Sequence, residues 1–202
     1  MCTVALSFLP YTAGKQQLDE EMPKIRHFNT SKRSQRDNHF TTYYIIGHSN
    51  TIHYTSGQIT KVLTIEASGI AVAASVARCF GVPMVFAKKT KSLNLGDDVY
   101  SSRVSSYTHG IDYDVTVSRE YLDNNDTVLL IDDFLAVGNA MKGLLEICDQ
   151  ARAHVAGIGI CIEKGFQQGG EDLRMMGIDV MSLAIIESMS EDGTITFTKQ
   201  DD

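Results

Sequence analysis

Short apolar segments alternate with amphipathic helical patterns along residues 62–186. The apolar segments occupy residues 62–65, 82–87, 115–118, 128–131, 155–162 and 180–186. Each segment has the length of a strand, and strands that alternate with helices are typical of a parallel sheet with helices on both faces. The pattern therefore predicts an α/β fold built on a Rossmann-like parallel sheet.

The most informative of these segments is residues 128–140, which read VLLIDDFLAVGNA. The unbroken apolar run at residues 128–131 suits a central strand that is buried on both faces. Asp132 and Asp133 are then expected to emerge at the carboxyl end of that strand. In open α/β sheets ligands bind beyond the strand ends, where two successive carboxylates can accept hydrogen bonds from the vicinal hydroxyls of a ribose.

A loop of small residues follows the two acids and precedes a helical pattern. The candidate phosphate-binding residues of this loop are Ala136, Val137, Gly138, Asn139 and Ala140. Their backbone N–H groups and the helix N-terminus can meet a phosphate, and Gly138 permits a positive φ or a close backbone approach. Taken alone, the segment is equally compatible with a polar strand end and an ordinary turn.

The segment resembles the phosphoribosyl pyrophosphate (PRPP) binding motif of the type I phosphoribosyltransferases, in which an apolar strand, two acids and a loop of small residues follow one another. Many members end the loop on threonine, whereas Ala140 stands at that position here. Alanine is usual there in the xanthine-specific branch of the family. From residue 59 to about residue 197 the chain resembles bacterial members of that branch, which implies the type I phosphoribosyltransferase fold.

Further segments match the family in its order along the chain. The turn after the first predicted strand resembles the family's pyrophosphate-binding turn and comprises Glu66, Ala67, Ser68 and Gly69. Lys88 and Lys89 follow the next predicted strand, where a lysine of the family reaches the pyrophosphate. Lys164 and Phe166 come at the end of a later strand, where the family has its purine-recognition lysine and a nearby aromatic residue.

Each of these segments also has a simpler interpretation when it is taken alone. Ser68 can be an ordinary helix N-cap, and neighbouring lysines such as Lys88 and Lys89 usually form a solvated face. Lys164 can pair with Glu163 at the surface, and Phe166 can belong to the core. The occurrence of all four segments in the family's order favours the functional interpretation.

The connection at residues 92–109 is long, polar and interrupted. It resembles the mobile loop that closes over PRPP in this fold, and connections of this length are commonly lids or disordered segments. A lid has a physical reason, because a glycosyl cation must be kept from water. A plain surface hairpin is the alternative.

Charge is distributed unevenly along the 202 residues, whose formal net charge is −7. Residues 1–58 carry six basic and four acidic side chains, so the remaining residues carry a net charge of −9. A basic surface is needed to contact nucleic-acid phosphates, so this balance argues against nucleic acid as the main partner of the α/β region.

The four cysteines show neither a paired metal spacing nor a dense disulfide framework, and they are expected to be reduced and mostly buried: Cys2, Cys79, Cys148 and Cys161. No stretch has the roughly twenty apolar residues of a membrane-spanning helix. The first ten residues lack a basic region before their apolar stretch, so a signal peptide is not expected. These features predict a cytoplasmic protein.

Residues 1–58 do not match the family, whose members begin with a segment that forms a hood over the purine. The sequence predicts an atypical N-terminal segment at residues 1–58 and a phosphoribosyltransferase domain at residues 59–202. A divergent hood, a different accessory segment and a misassigned sequence remain open. The region holds four histidines that fit no metal-site spacing, namely His27, His39, His48 and His53.

The resemblance implies transfer of the 5-phosphoribosyl group from PRPP to xanthine, with release of pyrophosphate. It also implies Mg²⁺ held mainly by PRPP oxygens, no metal site formed by the protein alone, and a homodimer. Two alternatives remain at this point. One is a hypoxanthine or guanine phosphoribosyltransferase, and the other is a purine-operon regulator that senses PRPP without catalysis.

Overall fold

The computed structural model describes Tyr54 and residues 58–90, 98–105 and 112–199. Three α-helices lie in these ranges: α1 (Gly69–Phe80), α2 (Asn139–Ala151) and α3 (Gly169–Met175). A 3₁₀ helix spans Arg119–Tyr121. The strands are β1 (Lys61–Ile65), β2 (Met84–Thr90), β3 (Val99–Ser105), β4 (Asp112–Ser118), β5 (Thr127–Leu135), β6 (His154–Lys164), β7 (Val180–Met189) and β8 (Ile195–Phe197).

These strands form one sheet in the order β3-β4-β2-β1-β5-β6-β7-β8. The strands from β2 to β7 in that order run parallel, which confirms the predicted parallel sheet. The antiparallel pairing of β3 with β4, of β4 with β2 and of β8 with β7 was not predicted. Six residues separate β3 from β4 and five separate β7 from β8, which is too few for the crossover that parallel neighbours need, so these strands return antiparallel.

Helices cover both faces of the central strands. On one face α1 packs through Val72 and Val76 against residues of β1 and β5, in a core cluster that includes Val62, Leu129 and Ile131. On the other face α2 contributes Leu144 and Ile147 to a cluster that includes Leu63 and Leu130. The apolar run at residues 128–131 was predicted to form a strand with both faces buried, and this is confirmed. All four of its side chains are fully buried.

β2 and β5 extend further at their carboxyl ends than the apolar pattern predicted. β5 continues to Leu135, because its backbone pairs with β6 as far as the Leu135–Glu163 position. β2 likewise includes Lys88 and Lys89, which pair with β4. The two acids and the two lysines thus belong to the ends of strands rather than to the loops after them, since pairing with a neighbouring strand continues after the apolar run has stopped.

The connection at residues 92–109 contains β3, which pairs with β4 along its whole length. In this strand, polar residues alternate with the buried Tyr100, Ser102 and Val104, as expected of a strand with one face on the core. The lid prediction otherwise concerns residues 92–97 and 106–109, which lie outside the described residues.

Tyr54 precedes β1 and packs onto the sheet. Its hydroxyl donates to the carbonyl oxygens of Ile158 at 3.0 Å and of Asp179 at 3.1 Å. Gly157 provides the space, since a Cβ there would lie 2.5 Å from the Tyr54 hydroxyl oxygen. Residues 1–53, with the predicted N-terminal segment and its histidines, lie outside the described ranges, and the boundary at residue 59 remains a prediction.

Candidate active site

The predicted site residues meet at one edge of the sheet. They lie after β1, at the end of β2, at the end of β5 and at the end of β6. These four strands are parallel neighbours in the order β2-β1-β5-β6, so their carboxyl ends point to the same edge. This is the position where ligands bind in open α/β sheets.

The turn between β1 and α1 connects the neighbouring strands β2 and β5. Glu66 Oε1 accepts a hydrogen bond from the backbone N–H of Lys89 at 2.5 Å. Ser68 Oγ donates to Asp133 Oδ1 at 3.0 Å and makes no capping hydrogen bond to its own helix. The peptide bond between Glu66 and Ala67 is cis. The serine is therefore not an ordinary N-cap, because it holds the turn against the acid pair.

Asp132 is a buried carboxyl group at this edge, and its side chain lies close to α1. A Cβ at Gly69 would lie 2.7 Å from Asp132 Oδ1 and would overlap Thr64 Oγ1, so only glycine allows the helix to begin this close. Burial, and then the charge of Asp133, raise the pKa of Asp132 well above its ordinary value, although the charge of Lys89 opposes this. The low-dielectric surroundings thus favour its protonated form.

Asp133 has a different environment from that of Asp132. It is half-buried, and its Oδ1 accepts hydrogen bonds from Ser68 Oγ and from the backbone N–H of Phe134, both at 3.0 Å. Its own backbone N–H donates to Asp132 Oδ1 at 2.9 Å. The sequence predicted a pair of acceptors for vicinal hydroxyls, and the fold separates this pair into a buried acid and a more accessible one.

The predicted phosphate loop is a tight turn that leads into α2. Gly138 has φ 80° and ψ 6°, a left-handed conformation that glycine adopts without strain, and α2 begins at Asn139. The side-chain amide of Asn139 donates to the carbonyl oxygen of Ser105 at 2.9 Å. This hydrogen bond uses the Asn139 side chain to tie the loop to β3.

The loop also packs against the start of α3. The backbone N–H of Gly169 donates to the carbonyl oxygen of Ala136 at 3.1 Å. A Cβ at Gly169 would lie 2.6 Å from both the Val137 carbonyl carbon and the Gly138 nitrogen. This contact was not predicted from the sequence, although the adjacent glycines Gly169 and Gly170 at the start of a helix indicate a close backbone approach.

The two lysines of β2 are both exposed, and consecutive strand residues point to opposite faces. Lys89 Nζ lies 5.1 Å from the centre of the Tyr113 ring, within the range of a cation–π contact. The charge of Lys89 also lowers the pKa of Asp132. The geometry therefore brings Lys89, rather than Lys88, towards the acid pair.

The predicted base-recognition residues have different neighbours. Lys164 Nζ lies 6.0 Å from the centre of the Phe134 ring, on the adjacent strand β5. Phe166 is 47% exposed in the turn after β6, so it is not a core residue. Phe134 was missed as a candidate, although an aromatic residue directly after two acids at a strand end was a readable signal.

Glu163 does not form a surface pair with Lys164. It is 3% exposed, and both of its carboxylate oxygens accept hydrogen bonds from Arg174 at 2.7 Å. The surface interpretation is therefore wrong, because neighbouring residues of β6 point to opposite faces and Glu163 faces α3 and β7.

The oxygen donors at this edge fit a hard cation that takes most of its ligands from a substrate. Mg²⁺ prefers oxygen ligands, usually keeps several waters and is commonly bound through one or two carboxylates and substrate phosphates. Glu66 and Asp133 supply partly exposed carboxylates. Among the described residues there is no group of three His, Cys, Asp or Glu side chains that could hold a metal ion.

The three cysteines in the described ranges differ in burial. Cys148 is buried, whereas Cys79 and Cys161 are only partly buried, so the expectation of mostly buried cysteines was too strong. Within the same ranges, no helix is long and apolar enough to cross a membrane.

Comparison with known proteins identifies the family. The model of the phosphoribosyl transferase domain matches residues 44–179, which include the turn after β1, the acid pair and the loop before α2. The chain belongs to the phosphoribosyltransferase family. As a phosphoribosyltransferase it is an enzyme of the pentosyltransferase class, and its sheet with flanking helices has the type I fold.

The curated relatives and the solved structures agree on this family. A xanthine phosphoribosyltransferase of Bifidobacterium adolescentis is 58% identical over 147 residues, 72% of this chain and 76% of the relative. One of Lachnoclostridium phytofermentans is 55% identical over 141 residues, 69% of this chain and 73% of the relative.

Solved structures share the fold at lower identity. An APRTase of Giardia lamblia, crystallised with 9-deazaadenine, superposes with a TM-score of 0.62 at 27% identity, covering 72% of this chain and 80% of that one. The adenine phosphoribosyl transferase of Trypanosoma brucei, in complex with AMP, pyrophosphate and ribose-5-phosphate, has a TM-score of 0.63 at 20% identity, covering 78% and 70%.

Proposed function

We propose that this phosphoribosyltransferase transfers the 5-phosphoribosyl group of PRPP to xanthine, giving the nucleotide XMP and pyrophosphate in purine salvage. The observation that carries the proposal is the acid pair between two candidate anion-binding turns. Asp133 is bound by Ser68 on one side, and the loop at residues 136–140 follows the pair on the other. The xanthine phosphoribosyltransferases at 53–58% identity support the choice of base.

The acid pair binds the ribose in this proposal. Asp133 is accessible enough to accept hydrogen bonds from the ribose hydroxyls, and Asp132 lies behind it. As the bond from the anomeric carbon to pyrophosphate breaks, positive charge develops on the ribose ring. Negative charge that is already in place beside the ring stabilises this transition state without further reorganisation.

The two turns position the ends of PRPP. The backbone N–H groups at residues 136–140 and the start of α2 bind the 5-phosphate, which fixes the ribose for attack. The turn at residues 66–69 binds the pyrophosphate, and Lys89 lies beside it through the hydrogen bond of its backbone to Glu66. The charge of Lys89 then stabilises the leaving group.

A magnesium ion held mainly by PRPP oxygens is the cofactor that we propose. Among the described residues, Glu66 and Asp133 are partly exposed carboxylates at these turns that can assist it, directly or through water. When bound, Mg²⁺ supplies positive charge to the pyrophosphate and lowers its energy as a leaving group.

Lys164 and two aromatic side chains bind the base. The ammonium group of Lys164 donates to an exocyclic oxygen of the purine, while Phe134, whose ring centre lies 6.0 Å from Lys164 Nζ, and the exposed Phe166 offer ring surfaces to the base. An oxo group accepts a hydrogen bond from lysine, whereas the amino group of adenine does not. The site therefore favours a 6-oxopurine, although the solved structures that share the fold are of adenine phosphoribosyltransferases.

Two other functions remain as alternatives. A hypoxanthine or guanine phosphoribosyltransferase would use the same lysine, because both bases carry the oxo group. A PRPP-sensing regulator would keep the phosphate loop without turnover and would bind duplex DNA in a salt-dependent way. We also expect a cytoplasmic homodimer. Sedimentation equilibrium would measure the mass of the dimer directly.

A spectrophotometric assay of the full chain tests the function. With PRPP and Mg²⁺ we expect turnover of xanthine well above that of hypoxanthine and guanine, and no turnover of adenine. Hypoxanthine or guanine as the best substrate would establish the first alternative. PRPP binding without turnover of any base would establish the second.

The two lysines of β2 provide a matched pair of variants. We expect Lys89→Met to raise the KM for PRPP about tenfold or more, because its charge lies beside the acid pair and the pyrophosphate turn. Lys88→Met removes the same charge from the opposite face and should change the KM by less than a factor of about three. Equal effects of the two variants in steady-state kinetics would contradict this assignment.

A further inference from the structure

A buried, fully hydrogen-bonded carboxylate lies next to Lys164. Arg174 Nη1 and Nη2 each donate to one oxygen of Glu163 at 2.7 Å, and Ser182 Oγ donates to Glu163 Oε2 at 2.5 Å. Burial raises the pKa of Glu163, but the hydrogen bonds from Arg174 and Ser182 and the charge of Arg174 outweigh it and hold the pKa below its usual range. Glu163 is therefore an ionised group whose two oxygens are both bound.

This ion pair joins three elements, since Glu163 is on β6, Arg174 on α3 and Ser182 on β7. Gly170 allows α3 to approach Glu163 closely enough for the ion pair to form. A Cβ at Gly170 would overlap Glu163 Oε1 and lie 2.8 Å from Arg174 Nη1. The start of α3 is thus pressed directly onto the ion pair.

The turn between β6 and α3 links the proposed base site to the proposed phosphate site, and the two residues of the ion pair lie before and after this turn along the chain. On one side, Lys164 follows Glu163 on β6 and points to the opposite face, so a fixed Glu163 also fixes the direction of Lys164. Within the turn, the backbone N–H of Gln167 donates to the Lys164 carbonyl oxygen at 2.9 Å. On the other side, Gly169 donates to the Ala136 carbonyl oxygen of the phosphate loop at 3.1 Å.

We propose that Glu163 and Arg174 are positioning residues that hold Lys164 and the phosphate loop at a fixed separation. This inference rests on the proposed function, in which the base is held from Lys164 and the ribose phosphate from residues 136–140. The attacking ring nitrogen and the anomeric carbon must meet in line at about 3–3.5 Å. A change in the separation of Lys164 from the phosphate loop therefore changes the distance between the attacking nitrogen and the anomeric carbon by a similar amount.

Variants of the ion pair should alter the kinetics of both substrates together. In Glu163→Gln, which keeps the shape but loses the charge, we expect the KM for xanthine and the KM for PRPP to rise and kcat/KM to fall about tenfold or more. Arg174→Lys keeps the charge but not the bidentate geometry and should fall between Glu163→Gln and the wild type. Ser182→Ala removes one donor, leaves the ion pair intact and should show the smallest change.

A second ion pair at the opposite end of the sheet serves as the control. Lys61 Nζ lies 2.8 Å from Asp126 Oδ2, and the two side chains are 17% and 11% exposed. Asp126→Asn should lower Tm without changing either KM, because the pair lies at the other end of β1. A role of Glu163 in stability alone would give the same result for both sites.

All assays are made at a temperature well below the Tm of each variant. A change in KM then reports on the position of the substrate-binding groups and not on loss of folded protein. If Glu163→Gln does not fold, Arg174→Lys decides the question. Wild-type turnover with unchanged KM values in Glu163→Gln, or in Arg174→Lys where Glu163→Gln does not fold, would overturn the positioning role. A wild-type chain that does not turn over xanthine with PRPP would instead overturn the proposed function.

Discussion

Asp132→Asn is expected to make the protein more stable at neutral and alkaline pH while it lowers turnover by about two orders of magnitude. Turnover falls because an amide cannot ionise, whereas the carboxyl group of Asp132 can take up negative charge as positive charge develops on the ribose. The stability is gained because the buried carboxyl group no longer has to ionise in a low-dielectric site.

The stability of Asp132→Asn relative to the wild type should increase with pH. The pKa of Asp132 is higher in the folded protein than in the unfolded chain, so its contribution to stability is fully present below the unfolded pKa. That contribution is lost as the pH rises towards the folded pKa. The Tm of Asp132→Asn should therefore be close to that of the wild type at about pH 4, and its advantage should grow as the pH rises to 8. Each kcal/mol gained in the free energy of unfolding should raise Tm by about 2–4 °C.

Asp133→Asn is the matched control, because the neighbouring carboxylate is half-buried and already accepts hydrogen bonds from Ser68 and from the backbone N–H of Phe134. This variant should also lose turnover, but it should not become more stable than the wild type, because it removes a carboxylate that reaches solvent and already has hydrogen-bond donors. Thermal unfolding followed by circular dichroism at several pH values measures both. A Tm for Asp132→Asn below that of the wild type at pH 8 would refute the argument from burial.

Gly169→Ala is expected to raise the KM for PRPP by about tenfold or more and to destabilise the fold by about 1–3 kcal/mol. The added Cβ would lie 2.6 Å from the Val137 carbonyl carbon and from the Gly138 nitrogen, and it would overlap the Ala136 carbonyl oxygen. These are backbone atoms, so the clash is relieved only if the phosphate loop or the start of α3 moves.

Gly177→Ala separates this effect from a general loss of stability. Gly177 follows α3 with φ 80°, and nothing lies within 4 Å of a Cβ built there. Alanine at Gly177 should cost about 1–2 kcal/mol of left-handed strain and leave the KM for PRPP unchanged. Isothermal titration with PRPP and chemical denaturation measure the two quantities, and an unchanged PRPP affinity in Gly169→Ala would contradict the predicted coupling.

The order of chemical groups along the chain could be predicted from the sequence. Apolar strands followed by Glu66 to Gly69, by Lys88 and Lys89, by the two aspartates and by Lys164 predicted a parallel sheet with its site at the strand ends. These signals are local, because hydrophobic periodicity and strand-end polarity depend only on nearby residues. The resemblance to the family added the chemistry that spacing alone left open.

Only the tertiary structure decided which of these groups act differently from one another. Asp132 and Asp133 are identical in sequence terms, but contact with the start of α1 buries one and Ser68 binds the other. Arg174 comes eleven residues after Glu163, and no local pattern indicates that it binds both carboxylate oxygens. Burial, pKa and ion pairing depend on residues that are distant along the chain, so they are fixed only when the strands, helices and turns have packed together.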